Sequence, residues 1–332
     1  MPEPIQLETK DGLYLPEADL WLDPHRKKSC AFVSHGHADH FARHDQILTS
    51  TPNAHLLRVR YNVTPARLVP LDFHQPLERK GFTILLFPAG HIYGSAMIHL
   101  TRKRDGATLL YTGDFKVRRG LTAEESVFRR ADTLIMETTF GKPQFVFPTI
   151  TEVSGDILNF VNTALEDGAT PVLHAYSLGK AQEALAILTE ARLPAVLNPA
   201  TAKMTTACRE AGAGLPEPVV FKGTVPPDTC LICPPNSLHK DEYKHVHNPR
   251  TAMLSGWALT PGARFRYRTD AIFPLSDHAD FPGLLEAVNR VRPKRILTVH
   301  GFTQEFATEL RRLNHDAWSI DGEDQLELAL RV

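Results

Sequence analysis

Ser34-His35-Gly36-His37-Ala38-Asp39-His40 decides how this chain is read. It follows the apolar run Cys30-Ala31-Phe32-Val33, which has the character of a short buried strand ending at Ser34. Three histidines and one aspartate then fall on a loop that contains a glycine. A loop can aim alternate side chains at one centre and the next pair at a neighbouring centre, which a helix or strand cannot do at this spacing. An ordinary polar loop has no reason to carry a good ligand at each of these places and also cap a buried strand.

The same geometry recurs downstream. His91 follows a strand ending at Phe87, within Gly90-His91-Ile92-Tyr93-Gly94-Ser95. Asp114 follows the run Thr108 to Thr112, and Glu137 ends the run Thr133 to Met136. His278 follows the run Ala271 to Leu275, and His300 ends the run Arg295 to Val299. A lone histidine is more often a satisfied core or surface residue than a ligand. Here the polar groups stand at the carboxyl ends of successive strands, so they project toward one rim of the sheets.

The bulk properties narrow the class. At 332 residues the chain accommodates one large domain or two ordinary ones, and its 42% apolar content is that of a globular protein. No apolar run approaches the roughly 18 residues of a membrane helix, and the start lacks a secretory signal, so the cytoplasm is expected. The net charge of −1 excludes nucleic-acid binding by overall charge and leaves local patches. Four cysteines, Cys30, Cys208, Cys230 and Cys233, fit a reducing compartment. Cys230-Leu231-Ile232-Cys233 lacks the second pair that a structural zinc needs, and reads as a buried strand with inert thiols.

Along the chain, Leu13 to Leu15 and Ala18 to Leu22 suggest an opening hairpin, followed by short strands up to Met136. From about Thr149 the texture becomes helix, strand, helix, with Lys180 to Arg192 a strong helix and Pro171 to His174 a strand. That alternation suggests a small parallel-sheet α/β unit. The earlier style returns near 269, with a helix Leu284 to Val291, a strand Arg295 to Val299 and a helix Gln304 to Leu313. The expected organisation is one domain made of 1–148 and 269–332, interrupted by an inserted domain at 149–268.

This combination of motifs resembles the metallo-β-lactamase superfamily, and within it the β-CASP branch of nucleases. The resemblance covers nearly the whole chain and is greatest to the bacterial DNA ligase-associated exonucleases, which Gly12-Leu13-Tyr14-Leu15 and Leu22-Asp23-Pro24 also fit. It implies an α/β fold, an αββα metallo-β-lactamase sandwich with an inserted α/β β-CASP domain. It implies two divalent ions, Zn²⁺ or Mn²⁺, a choice that mixed imidazole and carboxylate ligands allow. In the family pattern His35, His37 and His91 hold the first metal, and Asp39, His40 and His300 the second. Asp114 bridges them, His278 protonates the leaving group, and Glu137 orients His278 and keeps it charged. A histidine at 300 is shared with ribonuclease J and the polyadenylation endonuclease but not with Artemis-type relatives, and favours a full two-metal site.

A further signal is Tyr176-Ser177-Leu178-Gly179-Lys180, ahead of the helix from Lys180. Ser177 reads as an N-cap, and Lys180 opposes the helix dipole unless an anion binds there. These residues alone read equally as an ordinary cap with a solvated lysine. The resemblance implies a phosphate-binding role for Ser177, Gly179 and Lys180. Arg264, Arg266 and Arg268 alternate with Phe265 and Tyr267, as on one side of a strand. Arg102, Lys103 and Arg104, Arg118 and Arg119, and the Lys240 to Arg250 group are further basic clusters, many of them simply solvated and some expected to guide a nucleic-acid strand. The function implied is phosphodiester hydrolysis in DNA, exonucleolytic and linked to repair and to a DNA ligase, with no membrane partner. The alternatives are an RNA-processing nuclease of the same branch, a small-molecule metallohydrolase, and a binding subunit without catalysis.

Overall fold

The computed structural model describes residues 2–320, in two compact units. The first comprises the chain up to Arg119, then Glu124–Val146, then the chain from His278; the second comprises Gly120–Ala123 and Phe147–Asp277.

The first unit opens with the hairpin β1 (Leu13–Leu15) and β2 (Leu20–Leu22), continuing through β3 (Cys30–Phe32), β4 (Gln46–Ser50), helix α1 (Thr51–Tyr61) and β5 (Leu68–Leu71). These strands form one sheet in chain order, antiparallel at the hairpin and parallel after it. A second sheet takes β6 (Leu77–Arg79), β7 (Phe82–Pro88), β8 (Ala96–Arg102), β9 (Thr108–Tyr111) and β10 (Thr133–Thr138). The chain then runs through the second unit: α2 (Ile150–Glu166), β11 (Thr170–His174), α3 (Lys180–Glu190), β12 (Ala195–Leu197), α4 (Pro199–Glu210), β13 (Val219–Val220), β14 (Cys230–Cys233), β15 (Pro249–Leu254), α5 (Ala263–Tyr267) and β16 (Ala271–Phe273). It returns with α6 (Phe281–Val291), β17 (Arg295–Gly301), α7 (Thr303–Arg312) and β18 (Ala317–Ser319), and β17 and β18 complete the second sheet in the order β18-β17-β10-β9-β8-β7-β6.

Strand periodicity assigns the layers. Leu13, Leu15, Leu20, Leu22, Phe32 and Leu48 of the first sheet share a core with Phe82, Ile84, Leu86, Ile98, Leu100, Leu109, Ile135, Leu297 and Val299 of the second. The alternate residues of the second sheet, including Met97, Leu110, Leu134, Met136 and Ile296, face Leu284, Val288 and Val291 of α6 and Phe306 and Leu310 of α7. Val33 and Ile47 turn outward to Leu57 of α1. The result is an αββα sandwich. Both α2 and α6 have a distinct cap: Thr149 and Glu152 form a capping box, and Asp280 accepts from Gly283 N–H.

In the second unit a six-stranded, fully parallel sheet runs in the order β13-β12-β14-β11-β15-β16. It is covered on both faces, by α2 and α3 on one side and by Phe221, Tyr243 and Val246 on the other. Strand β16 pairs with β15, so the second unit extends to Asp277 and not to 268. Cys230 and Cys233 lie in the buried strand as read from the sequence. Burial pushes the Cys230 thiol far up and that of Cys233 up to about 12. Arg264–Arg268 do not form the strand their alternation suggested. Gly262 and Arg268, both in the left-handed region, bracket a single helical turn instead. No described helix is long and apolar enough to cross a membrane.

Candidate metal centre

Strand direction places the functional groups. β7 is antiparallel to β8, and β8 to β9, while β9, β10 and β17 are mutually parallel. Hence β7, β9, β10 and β17 all deliver their carboxyl ends to one rim, carrying His91, Asp114, Glu137 and His300. The end of β3 joins that rim where Ala96 N–H donates to Ser34 O at 2.9 Å. Gly113 permits the approach: a Cβ there would lie 2.5 Å from the Ser34 Cβ.

The His35–His40 loop and the His91 loop converge. His37 Nδ1 is 3.1 Å from His35 Nε2 and 3.1 Å from His91 Nε2. Asp114 Oδ2 lies 3.6 Å from His35 Nε2 and 3.8 Å from His91 Nε2. One ligand atom from each of His35, His37, His91 and Asp114 falls within 4.8 Å of the others. Burial, reinforced by the neighbouring imidazoles, holds His35 well below the usual histidine range, so its ring is neutral and can offer a lone pair. Burial opposes ionisation of Asp114, but His40, His278 and His35 outweigh it and hold the carboxyl well below its usual range.

His40 Nε2 approaches the same carboxylate oxygen, 3.2 Å from Asp114 Oδ2 and 3.9 Å from Asp39 Oδ2, with its ring centroid 4.2 Å from that of His35. The His300 ring centroid is 5.4 Å from that of His40. His300 is the extra residue of a β-bulge: Glu137 pairs with Val299 and Thr138 with Gly301, and His300 has φ 56°. Thr138 Oγ1 pins the bulge by donating to His300 O at 2.7 Å. Gly301 is required beside it, because a Cβ there would sit 2.4 Å from Thr139 Cα. Burial would lower the pKa of His40, yet the Asp114 and Asp23 carboxylates raise it well above the usual range. A proton on His40 and a cation at the centre are therefore alternatives, either one balancing the carboxylates.

Sequence reasoning missed the group that fixes these rings. Asp23, buried after β2, accepts from Ser34 N–H (2.7 Å), Ser34 Oγ (2.5 Å), Tyr111 OH (2.8 Å) and His40 Nδ1 (3.1 Å). With its hydroxyl hydrogen on Asp23, Ser34 Oγ accepts from His35 Nδ1 at 2.9 Å. One carboxylate thus places the proton of both His35 and His40 on Nδ1 and turns each bare Nε2 toward Asp114. This arrangement fits a divalent cation: neutral imidazole nitrogens and an ionised carboxylate converge, each oriented from behind. The signal in the sequence was Leu22-Asp23-Pro24, an acid at the end of an apolar run.

Beside the ligand cluster, His278 Nδ1 is 2.9 Å from Glu137 Oε1 and 4.0 Å from Asp114 Oδ2. Glu137 is itself locked, accepting from Phe115 N–H at 3.0 Å, Thr139 N–H at 3.2 Å and Thr139 Oγ1 at 2.5 Å. His278 therefore donates from Nδ1 to this fixed carboxylate.

The Ser177 expectation needs correction. Gly179, with φ 98°, occupies the N-cap of α3, and the Gln182 side chain accepts from its N–H at 2.7 Å and donates to Ser177 O at 3.1 Å. The glycine alone tolerates that backbone, so the helix starts after Ser177. Lys180 is buried and its ammonium is bonded to Asp277, which offsets its conflict with the helix dipole. Of the basic clusters, Arg102 is buried and bonded to Glu17, Asp105 and Glu3 O, while Lys103 pairs with Glu78 and Arg118 with Asp280. Those charges serve the fold.

A rim of imidazoles and carboxylates able to hold a metal ion on an αββα sandwich, with a second α/β unit inserted in the chain, defines the class, and comparison with known proteins agrees. The family described as "Zn-dependent metallo-hydrolase RNA specificity domain" (RMMBL) matches residues 264–319. A protein of Opitutus terrae named "Probable DNA ligase" is 44% identical over 99% of this chain, which spans 32% of that protein. The "DNA cross-link repair protein SNM1" of Arabidopsis thaliana is 26% identical, with 81% of this chain and 60% of that protein covered. The "RNase J-like protein" of Methanocaldococcus jannaschii is 26% identical, with 55% of this chain and 50% of that protein covered. The chain thus spans between about a third and three-fifths of the length of these relatives. It belongs to the metallo-β-lactamase-fold β-CASP family.

Proposed function

We propose that the chain is a metal-dependent phosphodiesterase that digests DNA from an end, in the cytoplasm, in the service of DNA repair. The observation that carries the reading is the convergence of His35, His37, His91 and Asp114 beside the His278–Glu137 pair. Two divalent cations, Zn²⁺ or Mn²⁺, fit the residues: His35, His37 and His91 would hold one, Asp39, His40 and His300 the other, and Asp114 both. Bound there, they supply Lewis acidity to a phosphate oxygen and lower the pKa of water enough for attack at neutral pH.

The chain's own groups do the rest. Asp23 and Ser34 orient His35 and His40 so that their bare nitrogens face the centre. Glu137 accepts from His278 Nδ1 and stabilises the imidazolium, so that His278 gives its Nε2 proton to the leaving alkoxide. Ser177, Gly179 and Lys180 are the candidate contact for a substrate phosphate. A phosphate reaching Lys180 competes there with the Asp277 carboxylate.

DNA is supported by two relatives, one named a DNA ligase and one a DNA cross-link repair protein, and the first also supports a functional link to a ligase. RNA is the second reading, favoured by the RNA-specificity description of the family matching 264–319 and by the relative named RNase J-like. The test is digestion of matched end-labelled DNA and RNA single strands, with and without a 5′-phosphate, in Zn²⁺, Mn²⁺ and Mg²⁺, alongside Asp114→Ala. The parent is expected to shorten DNA progressively, and the variant to lose both hydrolysis and metal. Faster digestion of RNA would replace the first reading with the second. An inert parent, or an active Asp114→Ala protein holding its full metal, would refute both.

A further inference from the structure

Phe265 stands out on the surface of the second unit. Its side chain is 85% exposed, the highest among the large apolar side chains described, the next being Val219 at 59%. It sits in the single turn α5, which is anchored by buried Ala263 and by Tyr267, whose hydroxyl lies 3.4 Å from Ser255 Oγ. Arg264, Arg266 and Arg268 around it are all exposed. Arg264 Nε is bonded back to Thr269 O at 3.3 Å, whereas Arg266 and Arg268 make no ion pair among the described residues. An isolated aromatic ring among guanidinium groups is a poor protein-docking surface, which needs a contiguous apolar patch. It has the composition of a single-strand binding element: a ring on which a base stacks, with cations for the adjoining phosphates.

We propose that Phe265 is a stacking platform for an unpaired base of single-stranded nucleic acid, with Arg266 and Arg268 holding the phosphates on either side. This deepens the nuclease reading and rests on it for the substrate class. Stacking on one ring is tolerant of base identity, so the element engages strands of any sequence. It discriminates against duplex, whose bases are already stacked and paired.

The test uses the full chain and measures binding apart from cleavage. Fluorescence anisotropy with labelled 20-nucleotide single strands and the matching duplex is expected to show about tenfold weaker single-strand binding by Phe265→Ala, and little change for duplex. Replacing Arg266 or Arg268 with alanine should lower the salt dependence, by about 0.7 in the logarithmic slope for each phosphate no longer neutralised. Phe265→Trp should retain affinity, and its added indole should be quenched by the strand beyond what the three native tryptophans show. Hydrolysis of bis(p-nitrophenyl) phosphate should be unchanged in Phe265→Ala, since the ring touches no reacting group. If Phe265→Ala binds single strands as the parent does, the inference is overturned while the nuclease reading stands. If binding depends on Phe265 but no strand is ever cut, the inference stands and the nuclease reading fails. A parent that binds only anionic lipid vesicles, through the same ring and arginines, would overturn the inference in favour of a membrane surface.

Discussion

Asp23→Asn isolates the residue that orients the centre without being part of it. The carboxylate accepts four hydrogen bonds, from Ser34 N–H, Ser34 Oγ, Tyr111 OH and His40 Nδ1, all at 3.1 Å or less. An asparagine keeps one oxygen, which can still serve Ser34 N–H. Its NH₂ then faces a hydroxyl, a phenol and a ring N–H, all of which have been donating. The two hydroxyls can rotate to accept, but His40 must move its proton to Nε2, the nitrogen turned toward Asp114. A hydrogen bond to a charged group contributes roughly 1.5–3 kcal/mol, so losing one or two of them should cost about 3–5 kcal/mol in this buried setting. Part of that should appear as metal affinity, since an outer partner of a ligating histidine typically accounts for 10–100-fold. Competition with a chromophoric chelator, paired with denaturant unfolding of the metal-loaded and stripped protein, separates the two losses. A variant with parental zinc affinity would refute the claim that Asp23 sets the His40 tautomer, however much stability it lost.

Other substitutions probe the remaining groups. His278→Ala should keep the parental metal content yet lose about 10²–10⁴ in rate, the usual contribution of a positioned acid. The loss should shrink for a nitrophenyl diester whose leaving group needs no proton, and an equal loss on both substrates would count against the acid role. His44 is buried, accepts from Lys28 N–H at 3.1 Å, and has its pKa lowered to about 4 by burial. Below its unfolded pKa near 6.5 the unfolded chain takes up a proton that the folded chain refuses. The stability is therefore present above pH 6.5 and lost as pH falls toward 4. His44→Gln should flatten that part of the stability profile relative to the parent, and parallel profiles would dismiss the assignment. Lys180→Ala should destabilise the protein by roughly 3–5 kcal/mol, because Asp277 is left buried without its cation, and Lys180→Met with Asp277→Leu should recover most of it. Full stability in Lys180→Ala would show that the pair contributes little.

What could be read from the sequence was local. The His35–His40 loop needed only six positions and a preceding apolar run to show its chemistry, and His91, Asp114, Glu137, His278 and His300 were visible as polar groups closing strands. Asp23 escaped because its meaning depends on Tyr111, 88 residues away, and on a Ser34 that looks like loop filler. Lys180 was legible as a cation at a helix start, but Asp277, 97 residues on, which neutralises it, was not. Helices α1 and α4 went unread although Ser50 ahead of Pro52 and Asn198 ahead of Pro199 carry sound capping chemistry. Arg264–Arg268 alternates as a strand does, and the left-handed residues at both ends set it as a helical turn. The β-bulge that gives His300 its direction has no signature beyond Gly301.

The pairing of β10 with β17 also sets a timetable for synthesis. Thr138 leaves the ribosome 162 residues ahead of His300, the residue whose carbonyl it must hold. At about 5–20 residues per second that is a wait of roughly 8–30 s. Throughout it β10 is the growing sheet's last strand, with a bare row of backbone donors and acceptors along one side. The intervening residues carry a parallel sheet and hydrophobic core of their own, so they can fold during the wait. A chain stalled or truncated between β10 and β17 would already carry His35, His37, His91 and Asp114, together with an open sheet edge, as a sticky species for quality control to recognise.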